Sequence, residues 1–219
     1  MSEGTRLTLL RHGTTKANQD GLFLGQTDVP LNDHGRLEAR ALGARMASAG
    51  VDVLISSDLI RARDTAQQVA EATGLEVTLD PRFREMHLGD FEEVPAKQVH
   101  REHPELIARW ISDPGSVRMP GAEAESLGEV QQRAVAGIEA HVAANPGKHL
   151  VVVSHTFTLL MVMCWATGLD LSAFRRFHVD RASITRIEWR KFGPTLRGFN
   201  DTAHLATLQA AAERASTLS

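Results

Sequence analysis

Short, nearly continuous apolar runs alternate along this chain with longer stretches in which apolar residues recur every three or four positions. Leu7 to Leu10, Val51 to Ile55 and Leu150 to Val153 are runs of the first kind and read as strands buried on both faces. Leu37 to Ala49, Leu59 to Ala72 and Glu125 to Ala144 are of the second kind and read as helices. Asp58 is placed to cap the start of the second helix and Gly74 to stop it. A strand or turn is expected near Val77, then an irregular segment rich in Pro and Arg, then a helical stretch from about Pro95 to Trp110. Pro114 and Pro120 mark a loop. Met161 to Thr167 predict a buried helix, and Ser183 to Trp189 and Thr195 to Phe199 predict sheet-edge strands. A closing helix is expected over Thr202 to Ala215, with Leu205, Leu208 and Ala212 on its apolar side. Strands alternating with helices predict an α/β fold, a three-layer α/β/α sandwich with a mostly parallel central sheet. With no repeat, linker or low-complexity segment, residues 1–219 read as a single domain.

Composition narrows the classes of function. The 219 residues suffice for a full core, and 42% apolar with 23% charged residues is ordinary for a globular protein. A net charge of -3 supplies no basic field for nucleic acid or an anionic membrane, so neither is expected as a partner. Any anion must then be caught by a few placed cations. Cys164, the one cysteine, lies within LLMVMCWATGL, which excludes a disulfide framework or a cysteine zinc site and reads as a buried thiol. No basic start leads into a long apolar stretch, and nowhere do 18 apolar residues run together, so a cytoplasmic location is expected.

Three chemically rich segments follow predicted strands directly: RHGTTKAN after Leu10, SSDLIRARDTA after Ile55 and SHTF after Val153. In open α/β sheets ligands sit beyond the carboxyl ends of the strands, so these segments can converge on one site. Gly13 lets the backbone beside His12 approach a ligand closely. A lone strand-end histidine is more often a structural hydrogen-bonding residue, and Arg61 or Arg63 alone would be a solvated helix-face charge. His155 precedes a helix start whose N–H groups are free for phosphate oxygens, although a histidine there could simply cap the helix. Two histidines and two arginines at strand ends together point to an anion site.

These segments resemble the histidine phosphatase superfamily, also called phosphoglycerate mutase-like, whose signature RHGxTxxN is matched by RHGTTKAN. GQTDVPLNDHG at 25–35, SSDLIRARDTA at 56–66, REMHLGDFE at 84–92 and VVVSHT at 151–156 continue the resemblance, which spans Leu7 to about Leu205. The resemblance implies that His12 is the phosphorylated nucleophile and Glu85 the proton donor. It implies a phosphate pocket of Arg11, Arg61 and a protonated His155, lined by Thr15 and Asn18, with Thr156 contributing its backbone N–H. It also implies a reaction with no metal and no cofactor. Three positions depart from the family pattern: Thr14 where Glu is frequent, Thr156-Phe157 where Gly-Gly is frequent, and Phe91-Glu92-Glu93 where aromatic-Glu-Gly is usual. The first is expected to alter the pocket's charge and the second to narrow it beside His155.

The implied activity is hydrolysis of a phosphomonoester, a small phosphorylated metabolite, through a phosphohistidine. A cofactor-dependent phosphoglycerate mutase is the alternative, but such mutases carry a longer, more basic insertion after the donor block. Here that interval has few cations beyond Lys97, Arg101, Arg109 and Arg118. A non-catalytic phospho-ligand-binding module is expected to have lost His12 or Glu85, and both are present. His100 and His103 read as surface residues, His87 as a candidate for the pocket mouth, and Phe23, Met86, Met119 and Phe157 as side chains able to shape it. The closing helix can pack on the domain or on a second subunit, which leaves a homodimer open.

Overall fold

A computed structural model describes residues 4–208. Strands β1 (Thr5–Arg11), β2 (Val53–Ser56), β3 (Val77–Leu79), β4 (His149–Ser154), β5 (Ile184–Arg190) and β6 (Gly193–Asp201) form one sheet in the order β3-β2-β4-β1-β5-β6. The first four are mutually parallel, while β5 and β6 run antiparallel to their neighbours. The helices are α1 (Lys16–Asp20), α2 (Asp33–Met46), α3 (Ile60–Thr73), α4 (Ala96–Glu102), α5 (Pro104–Ser112), α6 (Leu127–Ala144) and α7 (Thr156–Thr167).

Side chains alternate across each strand, so β1 and β4 feed two cores at once. Leu7, Leu9, Leu150 and Val152 pack with α6 and α7 on one face, and Leu10, Val151 and Val153 with Leu42 of α2 and Val69 of α3 on the other. All six residues of β4 are buried, as expected of a central strand covered on both faces. Register does the rest: Arg11 pairs with Ser154 and Ser56 with Val153, which brings the carboxyl ends of β1, β2 and β4 to one edge. No helix among the described residues is long and apolar enough to cross a membrane.

Several local expectations need correction. Asp58 does not cap α3: its carboxylate pairs with Arg84, and the Ile60 N–H donates instead to Asp28 Oδ1 at 2.7 Å. The stretch from 95 to 110 is two helices, because Pro104 lacks the N–H an uninterrupted helix requires and begins α5 anew. Helix α7 starts at Thr156 rather than Met161, its polar first turn serving the site described below. Strand β5 is interior, bonded to β1 and β6, so only β6 of that pair is an edge. The five-residue α1 was not expected. It exists through a capping box in which Thr15 Oγ1 accepts from the Asn18 N–H and Asn18 Oδ1 from the Thr15 N–H. Of the expected closing helix, Ala203–Leu205 forms a 3-10 turn and the part beyond Leu208 lies outside the described residues.

Candidate active site

A pocket of about 160 Å3 opens beyond the carboxyl ends of β1, β2 and β4, and Arg11, His12, Asn18, Arg61, Glu85 and Thr156 line it. These are six of the eight residues singled out from sequence. His155 lies directly behind, its ring 5.0 Å from that of His12, and is fully buried. Thr15 is fully buried too, but its hydroxyl is spent on capping α1 and it does not reach the pocket surface. A larger groove, about 760 Å3, opens at the opposite end of the sheet beside Arg6, Arg45, His149 and Arg197. It holds none of these groups, so size is a poor guide to the chemistry here.

His12 sits on the bond that leaves β1, its N–H bonded to the Ser154 carbonyl of β4 at 3.1 Å. Its Nδ1 is 2.6 Å from the carbonyl of Gly13. A carbonyl only accepts, so Nδ1 carries the proton and Nε2 is left with its lone pair. Burial, with Arg61 and Arg11 nearby, holds the His12 pKa well below the usual 6.5, so the ring is neutral at pH 7. Gly13 is required at this point: a Cβ there would stand 2.5 Å from the Gly35 carbonyl oxygen of α2.

Arg61 is buried and Arg11 half-buried, and both are oriented by carbonyls rather than by carboxylates. Arg61 donates to Thr27 O at 2.8 Å and Gly25 O at 2.6 Å, and Arg11 to Val179 O at 2.6 Å. In both, Nε is buried without a partner. Desolvation lowers each guanidinium from the usual 12.5 to about 10, which leaves both charged at neutral pH. Two cations, each with an unpartnered Nε, thus line one small pocket, an arrangement suited to an anion.

His155 Nε2 lies 2.8 Å from Ser57 Oγ, which also accepts from the Leu59 N–H, while Nδ1 is buried with no partner. Burial, then Arg61 and His12, push its pKa well below 6.5. With Arg61 and Arg11 close by, a positive charge on His155 is disfavoured unless an anion offsets it, so the protonated form expected from the family resemblance goes with bound phosphate.

Glu85 corrects a second expectation. The first N–H groups of α7 are not all free, because those of Phe157 and Thr158 donate to Glu85 Oε1 at 3.0 and 3.3 Å, as does that of Met86 at 2.9 Å. Thr156, the first residue of the helix, lines the pocket. Burial raises the Glu85 pKa above the usual 4.5 in spite of these bonds and of Arg61 and Arg11. The result is a carboxyl group that can be protonated, held rigidly beside two cations.

Glu92 was not singled out from sequence, yet it builds the Arg61 seat. Its carboxylate accepts from the N–H groups of Gln26, Thr27 and Leu88 at 2.8, 2.7 and 3.1 Å and from the Thr27 hydroxyl at 2.7 Å. It thereby pins the loop whose carbonyls orient Arg61. Gly25 of that loop has φ +53, and a Cβ on it would lie 2.0 Å from Glu92 Oε1. Phe157 and Phe23 line the pocket, but Met86 and Met119 are core residues. His87 turns away and accepts from the Gly89 N–H at 3.0 Å. His100 and His103 are exposed, their rings tilted against those of Phe23 and Phe91. Thr14 is buried and does not line the pocket; its N–H donates to Glu38 Oε2 at 2.7 Å.

Comparison with known proteins accords with this geometry. The family model described as histidine phosphatase superfamily (branch 1) matches residues 7–202. Phosphoserine phosphatase 1 of Hydrogenobacter thermophilus is 31% identical over 210 residues, covering 96% of this chain and 99% of that protein. The probable phosphoglycerate mutase GpmB of Yersinia enterocolitica is 32% identical over 202 residues, covering 90% and 93%. A structure of mycobacterial glucosyl-3-phosphoglycerate phosphatase with VO3 superposes with a TM-score of 0.82 at 28% identity, covering 90% of this chain and all of that one. On these matches, the chain belongs to branch 1 of the histidine phosphatase superfamily.

Proposed function

We propose that this enzyme hydrolyses the phosphomonoester of a small metabolite through a phosphohistidine on His12, with Glu85 as proton donor. The observation that carries the reading is the His12 tautomer: the Gly13 carbonyl takes Nδ1–H, so the lone pair of Nε2 is available in a pocket lined by Arg11 and Arg61. Nε2 attacks phosphorus in line and forms the N–P bond as the ester P–O bond breaks. The departing alkoxide takes the proton of Glu85. Water then attacks the phosphohistidine, giving its proton to the Glu85 carboxylate, and phosphate leaves with Nε2 restored. Charge on the transferring oxygens is met by the guanidinium groups, by the Thr156 N–H and by the unpartnered Nδ1 of His155, which an arriving dianion would favour in its protonated form.

Hydrolysis is preferred to isomerisation because Arg11 and Arg61 are the only arginines or lysines lining the pocket among the described residues, and both serve the phosphoryl group. Leu22, Phe23, Leu24, Leu88 and Phe157 make much of the remaining wall apolar. The decisive experiment is His12→Ala together with acid-quenched labelling of the wild type. Turnover should vanish in the variant, and the wild type should carry phosphate that is acid-labile and base-stable. Retained turnover at a sizeable fraction of wild type, or label with the stability of a serine ester, refutes the reading.

A further inference from the structure

Arg133 of α6 lines no part of the pocket, yet every hydrogen-bonding nitrogen of its guanidinium is engaged around the residue that bears the acid. Nη1 donates to the carbonyls of Arg82 and Arg84 at 2.8 and 2.7 Å, and Nη2 to that of Glu85 itself at 2.9 Å. Nε and Nη2 also grip Glu125 Oε1 and Oε2 at 2.7 and 2.9 Å, a bidentate pair whose side chains are 20% and 19% exposed. Glu125 Oε2 reaches on to the His87 N–H at 2.9 Å, and Gln26 Nε2 donates to the Glu85 carbonyl at 3.1 Å. The backbone on both sides of Glu85 is thus clamped from α6, while its carboxylate is held from α7.

We infer that the Arg133–Glu125 pair is a positioning device for Glu85, so that protonation of the leaving group depends on a side chain outside the pocket. The inference rests on Glu85 being the proton donor. The segment from Arg82 to His87 contains only a single 3-10 turn, Pro81–Phe83, and so lacks a ladder to hold it in place. A planar fork that bonds three carbonyls and a carboxylate at once supplies that rigidity, which the point charge of lysine cannot reproduce. A displacement of the acid of about 1 Å costs on the order of 100-fold in a positioned step. His12, Arg11 and Arg61 are seated by other contacts and should be undisturbed.

The test compares an alkyl phosphate, whose alkoxide needs a proton, with p-nitrophenyl phosphate, whose leaving group does not. Arg133→Lys should lower kcat for the alkyl ester by about 10- to 100-fold while kcat for the aryl ester falls less than about threefold and KM for both stays near wild type. Glu125→Gln, which keeps the acceptor and drops the charge, should fall between. In a Glu85→Gln background, Arg133→Lys should cost little more, because the group it places is already gone. Equal losses on both esters, or losses that add to those of Glu85→Gln, would show a general structural clamp and overturn the inference. The two readings separate cleanly: if Glu85→Gln itself harms both esters alike, the donor assignment fails and takes this one with it. If Glu85→Gln is selective and Arg133→Lys is not, only the positioning role is lost.

Discussion

Replacing Arg61 with Met separates what this residue does for the fold from what it does for the reaction. The side chain is 1% exposed, and its guanidinium is lowered to about 10 from 12.5 chiefly by desolvation. For a base, a lowered folded pKa means a penalty present at every pH below the folded value and relieved only as the pH rises toward the unfolded one. At 1.36 kcal/mol per unit, that burial costs about 3 kcal/mol at neutral pH. Against it stand the bonds to Thr27 O and Gly25 O, whose loss costs about 1 kcal/mol each where water from the pocket can replace the donor. Arg61→Met should therefore leave stability within about 1–2 kcal/mol of wild type, a shift in Tm of no more than about 8 °C for a chain of this length. Catalysis has no such compensation. Removing one fixed donor from the transferring phosphoryl group costs about 100- to 1000-fold in kcat. Arg61→Lys should recover only part, since an ammonium cannot bond both carbonyls and the phosphate in one plane. Steady-state kinetics on p-nitrophenyl phosphate and a thermal melt of the same samples check both halves. Activity within tenfold of wild type would remove Arg61 from the reaction, and a collapse in Tm would refute the balance drawn above.

Other perturbations probe different parts of the site. His12 must be neutral to attack, and its pKa lies well below 6.5, so the acid limb of the rate profile should fall below pH 6.5. Glu85 must be protonated and its pKa is raised above 4.5, so alkyl-ester turnover should decline as pH climbs through that raised value, with no such limb for p-nitrophenyl phosphate. An acid limb centred at 6.5 or higher, or matching alkaline limbs for both esters, contradicts these assignments. Glu93 is exposed and has φ 64, a left-handed conformation that costs a side chain about 1 kcal/mol or more. Glu93→Gly should stabilise by about 0.5–1 kcal/mol after the greater unfolded freedom of glycine is counted, raising Tm by about 1–4 °C with kcat unchanged; a lower Tm would show the turn to be unstrained. Given 3-phosphoglycerate and a trace of 2,3-bisphosphoglycerate, the enzyme should release phosphate faster than it forms 2-phosphoglycerate. The opposite order in a coupled assay would replace hydrolysis with isomerisation.

The elements that sequence alone determined are those whose cause is local. Strands β1, β2 and β4 are legible because residues buried on both faces leave an unbroken apolar run, and α3 and α6 because one buried face imposes a 3.6-residue period. Arg11, His12, Arg61 and His155 stood out as motifs at strand ends, while Glu85, Asn18 and Thr156 were named only through the family resemblance; the fold brought Arg11, His12, Arg61 and Glu85 to one cavity. The rest was decided by partners distant in the chain. Asp28 took the capping role that Asp58 was placed to fill, because Asp58 had Arg84 to pair with. Strand β5 became interior because β6 pairs along its free side, a matter of topology that alternation cannot reveal. Glu85 occupies the Phe157 and Thr158 amides expected for phosphate, and burial, then Arg61, lowers the pKa of His155. The role of Glu92 within its matched block, and Arg133 altogether, could not be read from sequence, since each acts by bonding backbone groups, and a backbone N–H or C=O looks the same whatever residue bears it. Desolvation, tautomer and the aim of a guanidinium depend on what stands within a few ångströms, and only the folded chain specifies that.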